Sequence, residues 1–280
     1  MGTPWDRPAT RYIDEWVPRF VPYHLDLVHE LALAEGQRVL VPSAGPGAEV
    51  LAVARAVGAK GAVRATDASP ELSSVCEAQV RRAGFSSVTV ECAGPEDIGV
   101  GGWNAIVCCF GLWKVADKQA LLERWRGALV PTGKLGILTF GPSDESDPFE
   151  MLGHALRELE PNAATAPAPL ACDRTTMTGM FEKAGLSLVR HTVLRHTISF
   201  QTAESFVASI REGRTWRSVW DELGEERMGL VAARFYDHVG GPTAPLSFSP
   251  AVTLGIAALP GAEVELASRP SAKAPPLARG

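Results

Sequence analysis

The sequence predicts an α/β fold: a mostly parallel sheet with helices on both faces and a helical cap. Three observations carry that expectation. From about 37 to 140, short β-rich runs alternate with amphipathic helical stretches, the pattern of strands joined by crossover helices. The run NAIVCC is nearly all apolar, as expected for a central strand covered on both faces. After Phe140 the chain turns to a loop-rich GPSDESDP, a Pro/Ala-rich PNAATAPAPLACD and long helical stretches.

The elements follow in order. RVLVPS is the first strand, ending at Ser43, and AEVLAVARAV over 48–57 is an Ala-rich helix stopped by Gly58. AVRAT leads into Asp67 as the second strand. Ser69-Pro70-Glu71 opens a helix to Ala83, with Ser as the N-cap, Pro in the first turn and Gly84 as the stop. SVTVE and NAIVCC are strands three and four, 117–130 is a helix and KLGILTF is strand five. Helices are expected at about 148–159 and 174–184. LSLVRHTVLRHTISF reads as one long alternating strand, 202–240 as helical, AVTLGIAAL as a last strand, and the tail from about 262 as disordered. The expected division is a lid over 1–36, a core over 37–141, a cap with the last two strands over 142–260, and a tail over 261–280.

Composition bounds the function. The 280 residues are 46% hydrophobic and 21% charged, enough for a large core. With 27 Lys+Arg against 32 Asp+Glu the net charge is −5, which argues against a nucleic-acid partner, because phosphate binding is driven by Lys and Arg. No apolar run reaches the ~18 residues of a membrane span, and MGTPWDRPATRYIDEW lacks the apolar core of a secretory signal. A cytoplasmic protein without a membrane partner is expected. Five cysteines without a CxxC pair read as reduced, buried thiols.

The chemistry centres on the segment Ser43-Ala44-Gly45-Pro46-Gly47. A strand enters a small-residue turn and a helix begins at once, so a ligand can approach the backbone and meet unpaired N–H groups. Asp67 lies 20 residues beyond Gly47, where a carboxylate can accept hydrogen bonds from both hydroxyls of a ribose. A nucleoside-containing ligand is specified. The dinucleotide pattern fits poorly, since its third small residue is replaced by Val50, and no Tyr-x-x-x-Lys dyad is present. A nicotinamide-dependent oxidoreductase is therefore disfavoured.

These residues resemble the class I S-adenosylmethionine-dependent methyltransferases, in the small-molecule branch of ubiquinone/menaquinone methyltransferases. The resemblance covers roughly 37–140. It rests on the Ser43–Gly47 turn, TDASPEL, PEDI, WNAIVCCFGLWKV and ALVPTGKLGILTF, in that order. It implies a Rossmann-like seven-stranded sheet and S-adenosylmethionine as cofactor. It places Ser43, Ala44, Gly45 and Gly47 at the cofactor's amino-acid part, Asp67 at the ribose, Ala68 beside the adenine, and Glu96 and Asp97 in the adenine loop. Cys109 and Phe110 would line the methyl-transfer cavity, with Trp113 on the substrate side. This chain departs from the family where Val41 or Pro42 stands for an acidic residue, Ser43 for the first glycine and Gly94 for an aspartate. A non-methylating descendant of the fold (a cyclase, isomerase or binding scaffold) is the alternative.

The expected reaction is in-line methyl transfer to a small, possibly natural-product acceptor, to oxygen, with one proton removed by a base. His24 and His154 are the candidate bases, although a solvated or core histidine is the commoner state of either. His191 and His196 point to opposite faces of a strand, so no metal site is expected. Tyr12, Trp16, Phe20 and Tyr23 recur at helical spacing, an amphipathic stripe that packs on the core; the resemblance, in which a similar N-terminal helix covers the cofactor, implies Tyr12 as a cofactor candidate and Tyr23 as a substrate candidate. Trp216 and Tyr236, with Trp220 and Phe235, suit an apolar acceptor. The protein is expected to be a monomer or homodimer.

Overall fold

The computed structural model describes residues 12–163, 171–211 and 214–268. The chain opens with a wide helical turn over Tyr12–Trp16 that runs into α1 (Val17–Glu30). The core then alternates: β1 (Arg38–Pro42), α2 (Ala48–Val57), β2 (Ala62–Asp67), α3 (Pro70–Ala83), β3 (Val88–Cys92), β4 (Trp103–Cys109), α4 (Lys118–Ala128) and β5 (Leu129–Phe140). Beyond it lie α5 (Pro148–Leu159), α6 (Arg174–Lys183), β6 (Ser187–Arg195), β7 (Ile198–Phe200), α7 (Ala203–Arg211), α8 (Arg214–Val239), β8 (Leu246–Phe248) and β9 (Ala251–Ala258).

Seven strands form one sheet in the order β3-β2-β1-β4-β5-β9-β6, parallel except for β9, which runs antiparallel to β5 and β6. The order reverses between β1 and β4, a switch point at whose carboxyl ends sheets of this kind bind ligands. Local chemistry set these bounds as expected. Ser69 Oγ accepts from Leu72 N at 3.3 Å to cap α3, and Gly84 ends that helix at φ 76°.

Three apolar clusters build the molecule. One packs α1, α2 and α3 on one sheet face around Leu27, Val53 and Val107, and a second packs α4 and α6 on the other around Ile106, Trp125 and Phe181. The third belongs to the cap, where Phe206, Trp216, Trp220, Met228 and Phe235 bury one another together with Trp16 and Leu156.

Two expectations from the sequence are corrected. The stretch 186–200 is not one strand: β6 ends at Arg195, and β7 pairs with β8 in a separate two-stranded ribbon. Tyr23 is the reason. Its hydroxyl accepts from His196 N at 2.9 Å and lies 3.1 Å from His196 O and 3.0 Å from Pro250 O, so side-chain bonding takes over the backbone where a ladder would have continued. The chain from 262 to 268 is anchored. Glu265 O accepts from Lys134 Nζ at 3.0 Å, Ala267 O accepts from Arg190 at 2.7 Å, and Ala267 N donates to Glu30 O at 3.3 Å. The rest of the expected tail, 269–280, lies outside the described residues. Among the described helices, none is long and apolar enough to cross a membrane.

Candidate active site

The turn after β1 requires unusual backbone. Gly45 has φ 53° and Gly47 φ 94°, and a Cβ on Gly47 would stand 2.6 Å from Cys76 Sγ. A Cβ on Gly45 would meet nothing within 4 Å, so the turn faces open space there. Ser43 also sits at φ 55°, and Phe110, at the end of β4, at φ 54°. Non-glycine residues pay roughly 1–2 kcal/mol for this region, and such strain clusters where function needs it. Ser43 therefore keeps the bend that a glycine would otherwise supply.

Asp67 ties the turn to β2. One carboxylate oxygen accepts from Gly45 N at 2.9 Å and the other from Ser69 N at 2.9 Å. Each oxygen keeps a further lone pair, and the residue is 8% exposed. Glu49, in the first turn of α2, is buried at 3%. Around these two acids stand Tyr12, Cys76 and Cys109. Burial, reinforced by Glu49 and Asp67, holds the Tyr12 phenol protonated far above its usual range and pushes the Cys76 thiol up to about 12. Burial and then Glu49 likewise keep Cys109 protonated. These two thiols are therefore poor nucleophiles, and the pocket's field favours a cation.

His24 of α1 closes the site from above. It is 8% exposed, and burial lowers its pKa from 6.5 to about 4, so it is neutral at pH 7. Its Nδ1 is sealed, lacks a hydrogen bond and stands 3.6 Å from Glu49 Oε2. The imidazole lies 5.8 Å from the Phe110 ring. Phe110 packs in turn on Phe20 (5.0 Å) and Phe140 (4.9 Å), giving an aromatic wall beside the end of β4.

The remaining candidates divide. Ala44 is buried, with its N–H on Thr66 O at 2.9 Å, while Ala68 is exposed after β2. Glu96 is exposed. Asp97 turns to Arg64 (3.1 Å) and to Gly99 N (3.1 Å), which hold its carboxyl below the usual range. Trp113 is half-buried in the short turn Leu112–Lys114. His154 is not brought to the site: it is exposed on α5, on the side of Glu158, which pairs with Arg234. Tyr23 is fully buried with its hydroxyl committed to His196 and Pro250, which makes it a structural tie. Trp216 packs inside the cap cluster, and Tyr236 lies half-buried against Phe235. Cys92, read as buried, is exposed. Glu49 and the strain at Phe110 were missed altogether.

A doubly wound sheet with a glycine turn after β1 and two buried acids, Glu49 and Asp67, beside its switch point is the arrangement the comparisons match. Residues 26–150 match the ubiE/COQ5 methyltransferase family model, so this part of the chain is similar to that family. No curated protein matches it by sequence. Solved structures share the fold. The YcgJ protein from Bacillus subtilis is 17% identical with a TM-score of 0.58, covering 86% of this chain and all of its own. A SAM-dependent methyltransferase from Aquifex aeolicus is 19% identical with a TM-score of 0.53, covering 66% of this chain and 91% of its own. The [4+2]-cyclase SpnF is 14% identical with a TM-score of 0.55, covering 88% of this chain and 84% of its own.

The residues present fit the cofactor. The open face of Gly45, the spare lone pairs of Asp67 and the negative field of Glu49 and Asp67 suit a ribose carrying a sulfonium.

Proposed function

We propose that the chain methylates a hydroxyl oxygen of a small, largely apolar, natural-product-like acceptor, with His24 as the base. One observation carries this reading: a buried, neutral imidazole without a hydrogen bond stands beside an aromatic wall at the end of β4. Bound here, S-adenosylmethionine supplies an already activated sulfonium methyl. The chain's task is then orientation, exclusion of water and acceptance of one proton.

Asp67 would hold the ribose through both oxygens, and the Ser43–Gly47 backbone would face the amino-acid end. Ala68 and Glu96 would border the adenine, and Tyr12 would cover the cofactor from the lid. Phe110, with Phe20 and Phe140, would press the acceptor's apolar body toward the cavity, with Trp113 on its outer side. His24 would take the acceptor's hydroxyl proton as the new oxygen–methyl bond forms. The lid with α1 and the cap with α7 and α8 would shut the site from water.

The test starts with native mass spectrometry of the purified protein, which should show a co-purified adenosyl ligand. A panel of phenols and aliphatic alcohols is then incubated with S-adenosylmethionine, and S-adenosylhomocysteine release is quantified. His24→Ala should lose ~10²–10⁴-fold in turnover while its affinity for S-adenosylhomocysteine stays within about twofold of the original, as expected for a group acting on the acceptor's proton. An acceptor converted without S-adenosylhomocysteine release would point instead to a non-methylating descendant.

A further inference from the structure

The loop between β3 and β4, residues 93–102, contains no strand or helix, yet side chains from three elements hold it. Trp125 of α4 donates its indole N–H to Pro95 O at 2.8 Å, and Trp103 of β4 donates its own to Ile98 O at 2.9 Å. Arg64 of β2 makes four contacts. Its Nε and Nη2 donate to the two oxygens of Glu91 at 3.1 and 2.7 Å, a fork matched to a carboxylate, and this pairing holds the Glu91 carboxyl below its usual range. The same guanidinium reaches Asp97 twice: Nη1 donates to its backbone O at 2.6 Å, and Nη2 stands 3.1 Å from Oδ1. Between the held carbonyls of Pro95 and Asp97 stands Glu96, whose carboxylate has no hydrogen bond or ion pair among the described residues. It lies over Gly94, where a Cβ would stand 2.6 Å from Glu96 Cδ, so the Glu96 carboxyl fills the space a side chain at 94 would take. The loop also begins beside Asp67, whose backbone O accepts from Ala93 N at 3.0 Å.

We propose that Arg64 is the positioning residue of the base-binding loop: by clipping Asp97 to Glu91 it keeps the Glu96 carboxylate over Gly94, where that carboxylate accepts a hydrogen bond from the exocyclic amine of adenine. This rests on the cofactor reading given above, in which Glu96 borders the adenine. It gives Asp97 a task other than touching the base. A loop held before its ligand arrives has its ordering cost removed from binding. A carboxylate fixed in one place also discriminates, because a base without the amine leaves it desolvated and unpaired. The two indoles fix the carbonyls at 95 and 98, and the carbonyl at 97 is held by Arg64. A lysine at 64 would present one point charge in place of the planar fork, and so would not span Glu91 and both groups of Asp97.

The experiment is calorimetric titration with S-adenosylhomocysteine and with its purine counterpart, which lacks the 6-amine. The unmodified chain should prefer the amine by about tenfold or more, the worth of one hydrogen bond to a charged group. Glu96→Ala should erase that preference. Arg64→Lys should reduce it to roughly threefold or less while affinity for the purine counterpart changes little. Adding Glu96→Ala to Arg64→Lys should lower the preference no further than Glu96→Ala alone, because both act on the same bond. A full preference in Arg64→Lys overturns the proposal. So does a full preference in Asp97→Ala, which removes the Arg64 partner at an exposed position and remains measurable where Arg64→Lys does not fold. An equal loss for both ligands in Arg64→Lys overturns it too, and leaves Arg64 as a staple between β2 and β3. An unmodified chain that binds both ligands equally strikes the placement of Glu96 at the adenine, and this proposal with it. One that binds neither strikes the cofactor reading itself.

Discussion

Asp67→Asn probes the site with the least change of shape. Both carboxylate oxygens accept backbone N–H groups, from Gly45 and from Ser69, each at 2.9 Å. An amide accepts at one oxygen only, so its NH₂ must face one of those donors. Loss of a charge-assisted bond, with a buried N–H left unsatisfied, costs about 2–4 kcal/mol of stability. At roughly 2–4 °C per kcal/mol for a chain of this size class, the melting temperature should fall by on the order of 5–15 °C. The same reasoning applies to the ribose: one of two accepted hydroxyls is lost, ~1.5–3 kcal/mol, or about 10- to 150-fold in affinity. Calorimetric titration with S-adenosylhomocysteine, beside thermal unfolding of the free protein, separates the two effects. A lowered melting temperature with affinity within twofold of the original would refute the ribose assignment and leave Asp67 as a staple between the turn and α3.

Gly47→Ala should cost at least ~2 kcal/mol, because its Cβ meets Cys76 Sγ at 2.6 Å and its φ of 94° is strained for any side chain. Urea unfolding should show partial recovery in the double variant with Cys76→Ala and a milder effect for Gly45→Ala, where space is open. The low pKa of His24 predicts an acid-sensitive fold. Above about pH 6.5 both states carry a neutral ring; between there and about pH 4 the unfolded chain takes the proton first, lowering stability by up to roughly 3 kcal/mol before levelling off. His24→Gln should remove that leg from the urea midpoint plotted against pH. Tyr23→Phe should lower stability by ~1–3 kcal/mol through the unsatisfied His196 and Pro250 groups, with S-adenosylhomocysteine affinity unchanged by calorimetry. His154→Ala should leave turnover of any accepted substrate unchanged, since its side chain lies exposed on α5.

What the sequence disclosed was local. The glycine turn, the aspartate at the end of β2 and the Ser-Pro opening of α3 each depend on residues within one turn of chain, so their types and spacing suffice. Phase could have corrected His154: Leu152, Ala155 and Leu156 form the buried stripe of α5, and position 154 falls off it. Glu49 was hidden for a different reason. An acid in the first turn of a helix is a favourable surface residue by the helix dipole, and only the packing of α1 across α2 buries it. Phe110 was placed beside the site by the resemblance, but its strain gave no signal, because nothing about phenylalanine after a strand announces a left-handed backbone. Tyr23 looked like a ligand contact because its ring lies on the stripe of α1, whereas its hydroxyl reaches across 173 residues of sequence to His196. Interactions at that separation leave no trace in spacing.

The charge of the pocket links the cofactor to the base. Asp67 and Glu49 lie close enough to act together on Tyr12 and Cys76, so their combined field favours one cation there. With S-adenosylmethionine bound as proposed, that cation would be the sulfonium, and a neutral His24 avoids a second. In the proposed methyl transfer His24 would take up the charge that the sulfonium gives up. One positive charge would thus move within a fixed negative field, with little reorganisation of the surrounding dipoles, the condition under which buried electrostatics lower a barrier.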